Sequence, residues 1–260
     1  MKSITKLIAS LLLAALPFTL LSQGQTVIAA YMKVSQERYM EYPEVEKAWK
    51  KYHQKAIEEG VCNGWQLWRS IHAGIHDPYQ YITLQWYDNY EQAIKGNDPA
   101  NAFDGVYSDE EWAALNAKTN AARVYAYQEV SHLITQVDNP QPLKYLVVHR
   151  MKANPGMADE YVQMETEIFK AYHEELIKRD QLAHWGLWNI WPYKKDQCRY
   201  VTVNGYKDAA QLDADSEVID PQELGLDYTL EEVTELAQKT RVKVTDEVWE
   251  LIDQVWPEEE

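Results

Sequence analysis

From Tyr81 to Tyr87 the chain alternates strictly, with Tyr81, Thr83, Gln85 and Tyr87 on one parity and the apolar Ile82, Leu84 and Trp86 on the other. A period of two marks a strand with two unlike faces. The same order returns in Tyr200, Thr202, Asn204 and Tyr206 against Val201, Val203 and Gly205. Hydroxyls and amides turned inward need partners or a ligand, so the polar set is expected to face an interior cavity and the apolar set to pack under helices. Val45, Trp49, Tyr52 and Ala56 fall instead at helical spacing, as do Glu165, Phe169, Tyr172 and Leu176, which predicts a helix with an aromatic stripe at each place. The β-rich runs Val27 to Val34 and Tyr145 to Met151 predict a first strand. Gly64 to Arg69 and Trp185 to Trp191 predict a second, and Tyr79 to Tyr87 and Arg199 to Tyr206 a third.

After each third strand comes a short helix from Asn89 or Lys207, then a second opened by Ser108 or Thr229 with Glu111 or Glu232 three residues on. That spacing is a capping box. The final segments, RVYAYQEV from Arg123 and RVKVTDEV from Arg241, read as strands, although Val130, Leu133, Ile134 and Val137 also fit a helical period. A fourth strand is preferred, because three would leave a sheet edge exposed.

All of this is written twice. AWKKYHQKAIEEGVCNGWQLW, Ala48 to Trp68, matches FKAYHEELIKRDQLAHWGLW, Phe169 to Trp188, so that Tyr52 pairs with Tyr172, His53 with His173, Trp65 with Trp185 and Trp68 with Trp188. Two copies, 23–140 and 141–260, fill the chain after its first residues, joined near Pro140 and Pro142. The order strand-helix-strand-strand-helix-strand is the split βαβ of ferredoxin-like units. One such sheet has an uncovered face, and two in tandem can bury those faces against each other. The fold class expected is thus α+β, two ferredoxin-like βαββαβ units forming a single-chain pseudo-dimeric α+β barrel. In this the chain resembles the dimeric α+β barrel superfamily, which includes antibiotic-biosynthesis-type monooxygenases and stress-responsive barrel proteins. The resemblance implies cofactor-independent oxygenation as an enzyme reading.

Composition narrows the setting. Residues 1–22 carry Lys2, Lys6 and then ILASLLLAALPFTLL, the pattern of a signal peptide cleaved near Ser22 and Gln23, so the protein is expected to be exported, periplasmic or secreted. The net charge of −16 becomes more negative still once the two lysines leave. Such acidity disfavours nucleic acid and anionic membrane, leaving a small-molecule ligand as the expected partner and a monomeric pseudo-dimer or weak homo-oligomer as the expected state. Cys62 and Cys198 hold non-equivalent places in the repeat and make no disulfide framework.

The candidate ligand-binding residues are the polar strand positions Tyr81, Thr83, Gln85, Tyr87, Tyr200, Thr202, Asn204 and Tyr206, together with Trp65, Trp68, Trp185 and Trp188. By parity, one tryptophan of each pair packs the helices and the other walls the barrel interior. His53 and His173, at the helix margin, are the catalytic candidates, against a structural role satisfied by one hydrogen bond. His149 on the first strand of copy two, aligned with Ala29 as Arg150 is with Ala30, is a further ligand-binding candidate that makes any site there asymmetric. No cofactor is demanded. A haem-binding variant would draw its axial ligand from His53, His173 or His149. No metal site is expected, since His72 and His76 flank Gly74 and precede Pro78 and so cannot meet across one helical turn. A non-catalytic binding or stress-response module is the competing class. Phosphate loops, nucleophile elbows and metalloprotease helices are all missing from the sequence.

Overall fold

The computed structural model describes residues 25–96, 105–139, 141–192, 198–214 and 217–257. The expected signal segment, Pro140 and most of the turn after Trp191 lie outside the described residues. The first half runs β1 (Thr26–Val34), α1 (Tyr42–Glu58), β2 (Gly64–Ser70), β3 (Tyr81–Tyr87), α2 (Tyr90–Gly96), α3 (Asp109–Ala122) and β4 (Arg123–Asp138). The second runs β5 (Tyr145–Ala153), α4 (Ala158–Met164), a π-helical turn (Glu165–Phe169), α5 (Lys170–Lys178), β6 (His184–Ile190), β7 (Tyr200–Tyr206), α6 (Ala209–Asp213), α7 (Leu230–Thr240) and β8 (Arg241–Val255).

The last segment of each half is a strand, and it is long for a reason. β4 pairs with β1 through its first part and with β6 through its second, while β8 pairs likewise with β5 and then β2. These two strands carry the ladder across from one half to the other. The antiparallel sheet closes as β1-β3-β2-β8-β5-β7-β6-β4.

Closure creates an inner and an outer surface. Val27, Ala29, Tyr31, Trp68, Ile82, Leu84, Leu146, Val148, Trp188 and Val201 form a cluster inside the barrel. The opposite parity packs under the helices: Met32, Trp65, Leu67 and Tyr81 against Tyr42 and Val45, and Met151, Trp185 and Tyr200 against Tyr161, Ile168 and Leu176. This reverses the faces expected for the third strands. Ile82, Leu84 and Trp86 turn into the barrel, whereas Tyr81 and Tyr87 lie beneath the helices, Tyr81 with its ring centroid 4.8 Å from that of Tyr42. The cause is that tyrosine is mostly apolar surface. Buried against a helix it contributes the packing of a phenylalanine, and its hydroxyl needs only one partner at the margin.

Both capping boxes are present, with Ser108 and Glu111 bonding reciprocally at the start of α3 and Thr229 and Glu232 at the start of α7. Each satisfies two amide donors that have no partner inside the helix. Thr229→Ala should cost about 1 kcal/mol, read as a lower urea midpoint at unchanged slope. A midpoint equal to that of the parent would refute the assignment.

Candidate functional site

Two cavities lie on opposite faces of the same strands. The first, about 280 Å³, is inside the barrel and is walled by Trp68, Trp86, Trp188, Trp249 and Trp256. Several polar groups in and around its wall bond to one another. Gln66 Oε1 accepts from Trp68 Nε1 at 3.3 Å and from Trp86 Nε1 at 3.1 Å, Gln254 accepts from Trp256, and Glu247 accepts from Trp249. Deeper in, Arg150 forks onto Glu129 at 3.0 and 2.9 Å and donates to the Tyr31 hydroxyl at 2.7 Å. Arg150 stands opposite Val201 as Tyr31 stands opposite Ile82, and His149 opposite Thr202 as Ala30 stands opposite Thr83. The ladder therefore aligns His149 with Ala30 and Arg150 with Tyr31, one residue away from the alignment expected.

The second cavity, about 380 Å³, opens between the helices and the outer face of the sheet in the second half. Its walls include His149, Glu165, Phe169, His173, Trp185, Thr202, Asn204 and Arg241. Here the helix is not regular. At its π-helical turn Lys170 N–H reaches back five residues to Glu165 O, a local widening that recurs at functional sites. The carbonyl of Phe169, at the end of that turn, lies 2.6 Å from His173 Nδ1. A carbonyl can only accept, so Nδ1 carries the proton and Nε2 keeps its lone pair. The imidazole is stacked on Trp185 at 4.8 Å and 11°, and burial pulls its pKa down to about 3, which keeps it neutral. In the first half His53 stacks on Trp65 in the same way, at 4.7 Å and 12°, and burial takes its pKa also to about 3. Its helix is continuous, however, and its Nδ1 has no hydrogen-bond partner. Both histidines are buried, not marginal, while Tyr52 is the half-buried neighbour, in an aromatic cluster with Trp49 and Trp112.

A second contrast between the halves lies one turn away. Tyr42, Glu46 and Arg123 form a closed triad: the tyrosine hydroxyl donates to Glu46 Oε1 at 2.5 Å and Arg123 Nε donates to the same oxygen at 3.2 Å. Tyr161, Glu165 and Arg241 repeat the residue types, but the triad is open. Arg241 Nη1 stands 3.6 Å from Glu165 Oε1, and Tyr161 Oη, Glu165 Oε1 and Arg241 Nε make no hydrogen bond. Burial pushes the Glu165 carboxyl up to about 7 against the opposing pull of Arg241.

Of the residues singled out in the sequence, the second cavity gathers His149, His173, Trp185, Thr202 and Asn204. Trp68 and Trp188 line the barrel cavity instead. Trp65, Tyr81, Tyr87, Tyr200 and Tyr206 pack beneath helices, and Thr83 and Gln85 share that outer face of β3. His72 and His76 are exposed, Cys62 and Cys198 are free thiols, and among the described residues no three His, Cys, Asp or Glu side chains cluster as metal ligands. No helix among those residues is long and apolar enough to cross a membrane. Sequence reasoning missed Glu165 and Arg241. The available signal was the recurrence of Tyr-x-x-x-Glu at Tyr42 and Tyr161, each followed by an arginine opening the last strand.

The α+β architecture with its closed antiparallel barrel has counterparts among solved structures. The chain is similar to a provisionally assigned monooxygenase from Fusobacterium nucleatum subsp. nucleatum, with TM-score 0.55 and 10% identity over 90% of this chain and 94% of that one. It is similar to a provisionally assigned chlorite dismutase, with TM-score 0.50 and 12% identity over 88% and 95% of the two chains. A haem-binding protein from Thermus thermophilus gives TM-score 0.50 and 12% identity over 88% and 92%. At such identities the likeness is one of fold. No family model and no curated protein matches the sequence.

Proposed function

We propose that the chain is a fused pair of ferredoxin-like units, exported by its first 22 residues, that binds a small, flat, largely aromatic molecule in the helix-sheet pocket of its second half. The repeated element order, capping boxes, histidine-tryptophan stacks and Tyr-Glu-Arg triads support the fusion. One observation carries the choice of pocket: buried polar atoms of Glu165 and Arg241, both in its wall, have no hydrogen-bond partner, whereas the matching triad in the first half is closed. Unmatched buried polar groups cost about 1–3 kcal/mol each, and a ligand with complementary groups recovers that. The barrel cavity offers no comparable handle. Gln66 and Glu129 in its wall are already engaged, the one by indoles and the other by Arg150. Trp185 and Phe169 supply the faces for an aromatic ring, and Thr202 and Asn204 supply donors and acceptors at its edge. With such a pocket the monooxygenase-like reading, acting on an electron-rich aromatic substrate, is the enzymatic form of this proposal.

The test uses 2-naphthol, titrated by calorimetry against the parent and two filling variants. Ala237→Trp fills the helix-sheet pocket and should raise Kd about tenfold or more. Leu84→Phe fills the barrel cavity and should leave Kd unchanged. The reverse pattern would move the site into the barrel, and binding by neither cavity would remove the proposal.

Haem is a second reading, favoured by the donor chemistry of His173. A neutral imidazole with Nδ1–H fixed on a carbonyl would leave Nε2 free to hold the iron, and Arg241 and Lys243 in the same wall would suit its carboxylate groups. Bound there, haem would supply redox chemistry at iron, while the chain would hold the ring against Trp185 and Phe169. A Soret band that appears on titration with the parent and is lost in His173→Ala supports this reading. A band that survives in His173→Ala eliminates that ligand.

A further inference from the structure

Two buried groups without a hydrogen-bond partner stand in the pocket wall, the acceptor Glu165 Oε1 and the donor Arg241 Nε–H. That set complements a molecule offering one acidic hydrogen beside one oxygen or nitrogen that gains charge when the hydrogen leaves. In the first half the same side chains satisfy each other, Glu46 taking both donors on one oxygen. They demonstrate that the triad can close as a purely structural element when its helix is regular. In the second half the π-helical turn begins at Glu165 itself, and the separation of the carboxylate from the guanidinium widens from 3.2 to 3.6 Å. The carboxylate is 1% exposed yet forms part of the pocket wall, so the pocket is its route to a reactant.

We infer that Glu165 is a general base: its carboxylate takes a proton from an acidic C–H or O–H of an aromatic ligand held in this pocket, and Arg241 stabilises the negative charge left on that ligand. The substrate class is an enolisable aromatic ketone or a phenol. The step is balanced within the site, since the proton moves to Glu165, the electron pair of the broken bond stays on the ligand, and no oxidant is consumed. It rests on the pocket reading above. A base whose pKa lies near 7 holds a substantial carboxylate fraction at neutral pH while still being basic enough to accept a proton. The groups that face it are Arg241 and Tyr161, with His149 and Lys243 elsewhere in the wall or at its rim and Asp246 holding both of the latter.

The experiment uses 5-nitrobenzisoxazole, from which a base removes the C3 proton as the N–O bond breaks to give a coloured phenolate, together with 5-nitroindazole, which has the same outline and no N–O bond. The parent should bind 5-nitroindazole and should accelerate the ring opening by about 10²–10⁴-fold over a free carboxylate, with a rate that rises with pH through about 7. Glu165→Gln should lose that acceleration while binding 5-nitroindazole within about threefold of the parent, and Glu165→Asp should recover part of the rate. Glu46→Gln, in the closed triad, should retain it. Full activity in Glu165→Gln, or binding without acceleration in the parent, overturns the base assignment and leaves the pocket reading standing. Failure of the folded parent to bind 5-nitroindazole removes both.

Discussion

A His53→Phe, His173→Phe double variant should gain about 4 kcal/mol of stability relative to the parent when the pH is lowered from 7 to 5. Each imidazole is buried against a tryptophan face and each has its pKa lowered from 6.5 to about 3 by burial. The sign follows from proton counting. Below pH 6.5 the unfolded chain protonates both rings and the folded chain neither, so stability present above 6.5 drains away until the folded pKa is reached. The loss is about 2 kcal/mol per ring at pH 5. Glu46 and Glu165, raised by burial, act in the opposite direction. They are common to both proteins, so the comparison isolates the histidines. Phenylalanine keeps the stacking and removes the titration. Parallel urea curves at pH 7 and pH 5, with the same spacing between parent and variant, would contradict the assignment.

Arg123→Met should destabilise the fold by about 3–5 kcal/mol, because it strands a buried carboxylate. Glu46 is 2% exposed, and among the described residues the arginine Nε, at 3.2 Å, is its one cationic partner. Adding Glu46→Gln should restore much of the loss, giving a strong coupling in a double-mutant cycle. Arg241→Met should cost clearly less, since its triad is already open and water can enter the adjoining pocket. Equal costs at the two positions would mean that the halves do not differ as described. Urea unfolding of the four variants reads all of this.

The order of elements and both capping boxes were legible because they depend on local periodicity and on spacings of three residues. The strand character of the last segment was legible from the demand that edges be covered, and β4 and β8 meet that demand by pairing on both sides. The facing of Tyr81 and Tyr200 was not legible, since a hydroxyl marks a residue as polar although most of its surface is a ring. Trp68 inside the barrel and Trp65 beneath α1 obey strand parity, but parity alone does not say which face is inner. His53 looked marginal because its neighbours Tyr52 and Trp49 are larger. The structure buries the histidine and leaves Tyr52 half-exposed. The π-helical turn leaves no trace in the spacing of Glu165, Phe169 and Tyr172, which reads as an ordinary helix. The decisive difference between the halves was therefore invisible, although the residue types of Tyr42, Glu46 and Arg123 recur at Tyr161, Glu165 and Arg241.

The closed ladder also bears on how the chain reaches its native state. β4 and β8 each commit half their length to strands of the other half, so neither half can close the barrel alone. Pairing β2 with β8 joins residues nearly two hundred positions apart, and such distant contacts make folding slow. Until that seam closes, two long strands present unpaired amides that can recruit another chain. The hazard of aggregation thus belongs to the nascent molecule, and ends when the last seam is sealed.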